Sequence, residues 1–323
     1  MNSKLIILVA LLLGFGLGVK SSDFIKNITS KEKVLEIRAG GYKFINPLLE
    51  CELSGLMQTK ELNPLKGMFE DFIDEQVNSK KANRVAIYFR DLNNGPWIGV
   101  NENEDYTPAS LGKVPMLMAY FKLAEVDSQA LNKKIKFKGE LSEQNIQPSK
   151  RIQQGESYTV EDLINRMIIY SDNNAYLLLY KNMDVRLISK LDEDLGVGIG
   201  EIWTKPGDFM SVKNYASYFR ILFNASYLNK DMSERALELL SRTEYKDGIV
   251  AGVPQDVVVS HKFGERSINE SGTKQLHDCG IVYYPGRPYL LCIMTRGDDF
   301  KKLAEVIKEA SSLVYNQMKL QNQ

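Results

Sequence analysis

The chain has 323 residues, enough for about two domains, and balances 41 lysines and arginines against 41 aspartates and glutamates. A formal net charge of zero argues against nucleic acid as a main partner, because such proteins carry a positive surplus or a clustered basic face. Hydrophobic residues make up 44% of the chain, which supports a sizeable core. Three cysteines are too few for a disulfide scaffold, and two histidines argue against both a histidine-rich metal site and a histidine-based triad.

The N-terminus carries a hydrophobic segment typical of export. Residues 5–19 contain no charge and are flanked by Lys4 and Lys20. This length fits a secretory signal and is slightly short for a spanning helix, which needs about 20 apolar residues. No Ala-x-Ala-like cleavage site follows, which favours an uncleaved signal anchor within residues 1–20 over a cleaved signal. We therefore expect an extracytoplasmic protein that is held at the cell membrane by residues 5–19, or is secreted if the segment is cleaved.

Residues 21–66 are mixed in character and are punctuated by a Gly-Gly pair and two prolines. We interpret them as a stalk and lead-in that packs on the main domain near Phe44 and Ile45. The alternative that they are part of a catalytic domain stays open at this stage.

Beyond residue 66 the apolar spacing alternates between helical and strand-like. The predicted elements are, in chain order, a helix over residues 65–77, strands over 84–90 and 97–100, helices between 111 and 240, strands over 257–262, 279–284 and 289–295, and a helix over 300–318. This order predicts an α+β fold in which both ends of the chain build one antiparallel sheet around an all-helical block.

Two cysteines fall on the last predicted hairpin. A turn centred between residues 286 and 287 would pair Cys279 with Met294 and Cys292 with Ile281. The two cysteines would then be diagonal neighbours, so that a disulfide is possible but buried free thiols are the expected state.

Because histidine is scarce, a lysine is the alternative activator of a serine nucleophile. A lysine held neutral by burial or by neighbouring cations can take a hydroxyl proton, and Ser-x-x-Lys on a helix places both side chains on one face. The pattern is weak alone, since it begins at Ser30, Ser110 and Ser271. Ser110 alone follows a turn and opens an apolar helix, which makes Ser110 and Lys113 the candidates. The competing interpretation is that Ser110 is only a helix cap.

Two further polar groups interrupt apolar segments. Ser171-Asp172-Asn173 separates two strongly hydrophobic runs, and Lys262-Phe263-Gly264 ends an apolar strand. Each has a common explanation. The first group is also what a capped junction between helices looks like, and Lys-x-Gly recurs by chance at residues 205–207 and 246–248.

Taken in order, the three groups resemble the Ser-x-x-Lys, Ser-Asp-Asn and Lys-Thr-Gly signature of class A β-lactamases and penicillin-binding D,D-peptidases. The resemblance covers residues 65–320 and implies a β-lactamase/transpeptidase-like α+β fold. In that fold an antiparallel sheet is flanked by helices and carries an inserted all-helical subdomain. The resemblance places a serine hydrolase domain at residues 67–320, with its helical part at residues 111–250, behind the N-terminal membrane anchor.

The resemblance also implies catalytic roles. Ser110 would be the acylated nucleophile and Lys113 its base. Ser171 would relay a proton to the leaving nitrogen, and Lys262 would supply positive charge near Ser171 and the substrate carboxylate.

Three further positions would bind the substrate by the same resemblance. Asn173 would hold the amide side chain of the substrate, and Gly264 would let the substrate lie against the strand. The backbone N–H of Glu265 would form the oxyanion hole together with that of Ser110.

The third group departs from the family pattern at its middle residue. Phe263 lacks the hydroxyl that would help to grip a substrate carboxylate. Arg266 or His261 could substitute for this hydroxyl.

A second departure concerns deacylation. Class A enzymes use a glutamate in a Glu-x-x-Leu-Asn loop between the second and third groups, and this chain has no such sequence there. The interval from Ser171 to Lys262 is 91 positions (262 − 171), shorter than in class A enzymes. The loop is expected to be reduced to a short connection over residues 195–208. Asp208 or Glu201 could position water by another route.

We therefore expect an acyl-serine hydrolase of the class A β-lactamase type that attacks a β-lactam or a cell-wall peptide amide and deacylates slowly. The alternatives are a D,D-peptidase and a non-catalytic envelope protein that binds peptidoglycan, which Phe263 favours. The expected partners are a β-lactam or a peptidoglycan stem peptide and, through the N-terminal segment, the membrane. We expect no nucleic acid, no metal or other cofactor, and a monomer.

Overall fold

The computed structural model describes residues 35–38, 41–52, 63–93, 97–141, 146–195, 207–268 and 271–321. The chain divides into two compact units, residues 1–36 with 50–56 and residues 37–49 with 57–323. In the first unit the described residues are 35–36 and 50–52. They belong to two short strands that pair with each other, β1 (Leu35–Arg38) and β2 (Leu48–Glu52). The predicted signal anchor, residues 5–19, lies outside the described residues.

The second unit is built on a five-stranded antiparallel sheet. The remaining described strands are β3 (Arg84–Asp91), β4 (Trp97–Val100), β5 (Asp105–Tyr106), β6 (Lys134–Lys136), β7 (Ser157–Thr159), β8 (Met210–Ser211), β9 (Val259–Ile268), β10 (Thr273–Val282) and β11 (Tyr289–Gly297). The sheet has the spatial order β4-β3-β11-β10-β9, and β5 pairs with β8 and β6 with β7. The predicted sheet, assembled from both ends of the chain, is therefore confirmed. The block between β4 and β9 was predicted to be all-helical, and this was wrong, because it also contains the short strands β5 to β8.

Eight described α-helices accompany the sheet. They are α1 (Asn63–Asn78), α2 (Lys113–Val126), α3 (Val160–Ile169), α4 (Asn173–Asn182), α5 (Val185–Leu195), α6 (Val212–Asn224), α7 (Lys230–Ser241) and α8 (Phe300–Gln321). None of the helices within the described ranges is both long and apolar enough to cross a membrane.

The sheet is buried on both faces, and its strands divide their side chains between two cores. On β3, Val85 and Ile87 pack with residues of α1 and α8, while Ala86 and Tyr88 pack with the helices that lie between β4 and β9 in the chain. Because successive side chains of a strand point to opposite faces, a strand covered on both sides is apolar throughout. This explains why β3 reads as an almost uninterrupted hydrophobic run.

The register of the β10–β11 hairpin corrects the prediction for the cysteines. Cys279 pairs with Cys292 rather than with Met294, and the two form a disulfide. The strands end at the pair Val282–Tyr289, so the turn is centred one residue earlier than expected. A shift of one residue in the turn moves every cross-strand partner by two residues. The prediction therefore placed the two cysteines as diagonal neighbours, although they face each other across the hairpin. The prediction that Cys279 and Cys292 are free thiols was wrong.

Strand β9 extends further than the prediction. It was expected over residues 257–262 and is observed over Val259–Ile268. The added residues include the exposed, charged Glu265 and Arg266, which conceal a strand from hydrophobic patterning. Among the described strands β9 pairs with β10 alone and forms an edge of the sheet, so its outer side can carry such residues. The Lys262–Gly264 group therefore lies inside a strand rather than at its end.

The segment before α1 is fixed to α7 by one carboxylate. Glu234 Oε1 and Oε2 accept the backbone N–H groups of Lys43, Phe44 and Ile45 at distances of 2.8 to 3.1 Å. Phe44 and Ile45 are both buried, and Tyr283 Oη donates to the carbonyl of Phe44 at 2.8 Å. This stretch of the predicted lead-in is thus part of the core of the second unit.

Candidate active site

The candidate nucleophile Ser110 lies on a tight turn ahead of the apolar helix. Residues Ala109–Gly112 form a single 3-10 turn, and α2 begins at Lys113. Ala109 has a φ of 49°, a left-handed conformation that costs a non-glycine residue about 1–3 kcal/mol. Neither the turn nor α2 has a side-chain cap, so the interpretation of Ser110 as a helix cap is wrong. Ser110 is partly exposed.

The Ser171–Asn173 group joins α3 to α4. Asp172 Oδ1 accepts the N–H of Asn174 at 2.9 Å, and its Oδ2 accepts the N–H of Ile152 at 2.8 Å. Asp172 is therefore the N-cap of α4. This agrees with the alternative interpretation of the group as a capped junction between helices. The cap does not account for Ser171, which has a φ of 60° and turns both its hydroxyl and its carbonyl towards Lys113.

Lys113 connects the first two groups through a single nitrogen. Lys113 Nζ lies 3.0 Å from Ser110 Oγ, 2.9 Å from Ser171 Oγ, 2.6 Å from the Ser171 carbonyl oxygen and 2.7 Å from Asn173 Oδ1. The last two oxygens can only accept, so they take two N–H groups of the amine. In the neutral form the remaining lone pair is then available to a hydroxyl. Ser110 and Ser171 supply the two hydroxyls within reach.

The third group brings a second lysine to the same place. Lys262 Nζ donates to Ser171 Oγ at 3.0 Å and to the carbonyl of Phe263 at 2.9 Å, and the side chain has no exposed surface. The hydroxyl of Ser171 therefore lies between two lysine nitrogens. The sequence predicted that these three groups converge, and the structure brings them together.

Both lysines are in positions that disfavour charge. Burial, and after it the charge of Lys262, holds the pKa of Lys113 well below its usual value, against the opposing effect of Asp172 and Glu265. Burial also lowers the pKa of Lys262 to about 7, although Asp278 and Glu265 act in the other direction. Two adjacent ammonium groups repel, so a proton on Lys262 favours a neutral Lys113. The site can thus hold a neutral amine beside Ser110 and a cation beside Ser171.

Gly264 is required by a close approach of two backbone segments. A Cβ at this position would lie 2.8 Å from the carbonyl oxygen of Pro108 and 3.0 Å from the backbone nitrogen of Leu111. β9 therefore packs directly against the turn that presents Ser110. The next residue, Glu265, has an exposed side chain on the same edge strand.

The Phe263 side chain offers no hydroxyl in place of the threonine of the family pattern, and it packs on an aromatic ring instead. Its ring stacks on Tyr245 with centroids 4.1 Å apart, and Lys262 Nζ lies 4.2 Å from the ring centroid. His261 cannot replace the missing hydroxyl, because it has no exposed surface and its Nδ1 lies 2.8 Å from Asp278 Oδ1. Arg266 is exposed, and its Nη1 lies 3.4 Å from Thr107 Oγ1. Thr107 lies just before the turn that carries Ser110, Ala109–Gly112, which we call the nucleophile turn.

The two acids considered for water activation differ in what the structure shows. Asp208 Oδ1 accepts from Thr107 Oγ1 and from Gln275 Nε2, both at 2.9 Å, while Oδ2 pairs with the guanidinium of Arg296. Burial alone would raise the pKa of Asp208, but the hydrogen bonds from Gln275, Thr107 and Arg296 lower it overall. Asp208 therefore supports the nucleophile turn through Thr107. Glu201 lies outside the described residues, as does most of the expected short connection.

Sequence reasoning missed the residues that hold the base of the nucleophile turn. Thr107 donates its N–H to Gln275 Oε1 at 3.0 Å, and its carbonyl oxygen lies 3.0 Å from His277 Nε2. The available signal was the polar Gln275 and His277 on an otherwise buried strand, since buried polar groups need partners. Gln275 and His277 lie 168 and 170 positions beyond Thr107 in the chain, so no local sequence pattern indicates these contacts.

Together, the split antiparallel sheet and the serine–lysine site define a serine β-lactamase-like protein. The chain belongs to the β-lactamase enzyme family (Beta-lactamase2), whose family model matches residues 68–318. A search of curated protein sequences gave no match.

Several solved structures have the same fold. PBP-A is 20% identical, with a TM-score of 0.68 over 80% of this chain and 97% of that one. The TLA-3 extended-spectrum β-lactamase is 18% identical, with a TM-score of 0.69 over 78% of this chain and 99% of that one. A representative class A β-lactamase from Bacteroides cellulosilyticus is 19% identical, with a TM-score of 0.66 over 78% and 98% of the two chains. At these identities the likeness establishes the fold alone.

Proposed function

We propose that this protein is an acyl-serine hydrolase that attacks a β-lactam or a cell-wall peptide amide through an acyl-Ser110 intermediate. One observation carries the proposal. Lys113 Nζ lies within hydrogen-bond distance of two acceptor-only oxygens, which leaves the lone pair of the neutral amine available to Ser110 Oγ, 3.0 Å away. A buried neutral amine beside an accessible hydroxyl is the arrangement that activates a serine without histidine.

Acylation then follows from these contacts. Lys113 takes the proton of Ser110 Oγ as that oxygen attacks the carbonyl carbon, and negative charge develops on the carbonyl oxygen. The backbone N–H groups of Ser110 and Glu265 stabilise this oxyanion. Ser171 donates its hydroxyl proton to the leaving nitrogen and receives the proton held by Lys113, as the C–N bond breaks. The products are an ester on Ser110 and a neutral amine, with Lys113 and Ser171 restored.

Substrate binding is assigned to the rim of this site. The Asn173 amide, whose oxygen already accepts from Lys113, offers its NH₂ group to an amide carbonyl of the substrate. Gly264 lets β9 approach the turn that carries Ser110, so a substrate that lies along β9 would be close to Ser110. Lys262 has no exposed surface, so it acts through Ser171 and through its charge rather than by touching a substrate carboxylate.

We further propose that deacylation is slow. The chain lacks the Glu-x-x-Leu-Asn sequence, and Asp208 is occupied by Thr107, Gln275 and Arg296. A single-residue mutant of PBP-A, which has the same fold, is described as an acyl-enzyme complex with penicillin G. A stable acyl-enzyme fits a D,D-peptidase, or a lactam-acylated protein with poor turnover, better than an efficient lactamase.

The same proposal places the site outside the cytoplasm, behind a signal anchor at residues 5–19. The Cys279–Cys292 disulfide supports export, because disulfides persist in oxidising compartments.

A fluorescent penicillin tests the function. The wild type and Ser110→Ala would be incubated with the label and sampled over hours on denaturing gels. We expect a label that requires Ser110 and decays slowly. A label that turns over within minutes would instead indicate an efficient lactamase.

The second candidate function is a non-catalytic envelope protein that binds peptidoglycan, which the replacement of a threonine by Phe263 favours. This candidate predicts no label on either protein, with binding to purified peptidoglycan that survives Ser110→Ala. The absence of label on the wild type would remove the acyl-serine proposal.

A further inference from the structure

Strand β10 places two polar side chains in the interior of the protein, behind the nucleophile turn. Gln275 and His277 have no exposed surface, although a buried polar group is unfavourable unless it is hydrogen-bonded. Both reach the same residue, Thr107, on its backbone N–H and its carbonyl oxygen respectively. Two buried polar groups are therefore directed at one peptide segment.

Thr107 is held at every polar atom. Besides its bonds to Gln275 and His277, its hydroxyl oxygen lies 2.8 Å from the carbonyl oxygen of Gly207 and 2.9 Å from Asp208 Oδ1, two acceptors that share its one proton. Thr107 precedes Pro108 and Ala109, and the latter has the left-handed φ of 49°. A residue in such a conformation persists only where its surroundings over-determine it. The hydrogen bonds to Thr107 constrain the turn from one side, and the backbone of β9 at Gly264 constrains it from the other.

The hydrogen bonds of His277 define its protonation state. The carbonyl oxygen of Thr107 can only accept, so Nε2 carries the proton and donates at 3.0 Å. The backbone N–H of Thr295 donates to Nδ1 at 3.2 Å, so Nδ1 must present a lone pair. A protonated ring would place two N–H donors against each other at Nδ1. The imidazole is therefore neutral in its Nε2–H form.

We propose that neutral His277 is a positioning residue that holds the Thr107 carbonyl and thereby sets the turn on which Ser110 is presented. It does not touch the substrate. It fixes the start of the strained turn from the face of the sheet, so that Ser110 Oγ stays within reach of Lys113. The inference rests on the proposed acylation at Ser110.

Two amide substitutions separate this role from general packing. The amide of Gln reaches as far along the side chain as Nε2, so His277→Gln retains a donor for the Thr107 carbonyl. The amide of Asn ends where Nδ1 lies, so His277→Asn retains an acceptor for the N–H of Thr295 and loses the bond to Thr107. We expect His277→Asn to reduce the maximal rate of acylation by penicillin roughly 10- to 100-fold, with little change in the half-saturating concentration. His277→Gln should retain most of the rate.

A loss confined to the maximal rate, and restored by Gln, supports positioning. Equal rates for His277→Asn and wild type, in proteins with matching thermal unfolding, would overturn the inference. So would equal losses for both variants.

A spectroscopic test is independent of acylation. The chain has two histidines, so ¹⁵N-histidine labelling gives two rings, and His277→Gln assigns the pair. We expect the His277 ring as the neutral Nε2–H tautomer at pH 7, because burial lowers its pKa to about 4. The ring faces the backbone of Thr107 and of Leu276, the ring of Tyr106 and, through their charges, Asp208 and Arg296. Gly264 and Met294 flank it in the sheet. An Nδ1–H tautomer or a charged ring at pH 7 would contradict the inference. If the wild type is not acylated at all, the proposed function fails while this result stands by itself.

Discussion

Lys262 Nζ lies 3.0 Å from Ser171 Oγ in a place where Lys262 has no contact with solvent. The hydroxyl of Ser171 is at the same time 2.9 Å from Lys113 Nζ. A hydroxyl between two amines can accept a proton from one side and give one up on another. Which of the two amines carries the charge therefore decides whether the site can act as a base, and the burial of both lysines favours sharing one proton between them.

Replacing Lys113 should remove acylation without unfolding the protein. In Lys113→Met the apolar side chain fills the space of the buried lysine stem, while the base is lost. We expect the acylation rate by penicillin to fall about 10²- to 10⁴-fold, as for loss of a general base. Lys274→Met is the matched control, because Lys274 ends the other described Ser-x-x-Lys pattern and donates to the carbonyl of Asp298 in an exposed position. Normal acylation by Lys113→Met would show that Lys113 is not the base.

The charge of Lys262 should appear in the pH profile. Burial lowers the pKa of this lysine to about 7, so Lys262 loses its proton as the pH rises through that value. The positive charge beside Ser171 is present below this pH and is lost above it. We expect the acylation rate by an anionic penicillin to decline on the alkaline side of pH 7 in the wild type. Lys262→Ala should be acylated slowly at every pH and should not show this decline above pH 7. An unchanged decline in the variant would assign the titration to another group.

The contact between β9 and the nucleophile turn should be sensitive to one methyl group. Gly264→Ala places a Cβ 2.8 Å from the carbonyl oxygen of Pro108, which should lower the free energy of unfolding by about 1–3 kcal/mol and slow acylation. Gly67→Ala, within α1, has no atom within 4 Å of the new Cβ and should instead raise stability by about 0.5–1 kcal/mol. Urea unfolding measures both, and equal effects of the two substitutions would contradict the proposed close approach.

Glu234 should be needed to hold the segment before α1. Its carboxylate receives the N–H groups of Lys43, Phe44 and Ile45. Glu234→Gln leaves a single acceptor oxygen, and we expect a loss of about 1–3 kcal/mol, as for hydrogen bonds to a charged group. Glu238→Gln, on the exposed side of the same helix, is the control. Protease cleavage near Phe44 should become faster in Glu234→Gln only.

Much of the fold could be predicted because its signals are local. The hydrophobic run of β3, the polar interruption at Ser171 and the closing amphipathic helix α8 each depend on neighbouring residues. The candidate site was predictable for a related reason, since its three groups have fixed spacings within themselves. The structure then showed that Lys113, Ser171 and Lys262 meet.

The errors arose where distant segments decide the outcome. The Cys279–Cys292 pair depended on a turn centre that was misplaced by one residue. The end of β9 was missed because Glu265 and Arg266 face solvent on an edge strand. The support of Thr107 by His277 depends on a contact between residues 170 positions apart, for which no periodicity exists.

Mass spectrometry of the intact protein after exposure to benzylpenicillin tests the central claim most directly. The account predicts one added penicilloyl group, mapped by proteolysis to the peptide that contains Ser110, persisting after the free drug is removed. No added mass, or the same addition on the Ser110→Ala protein, would contradict it.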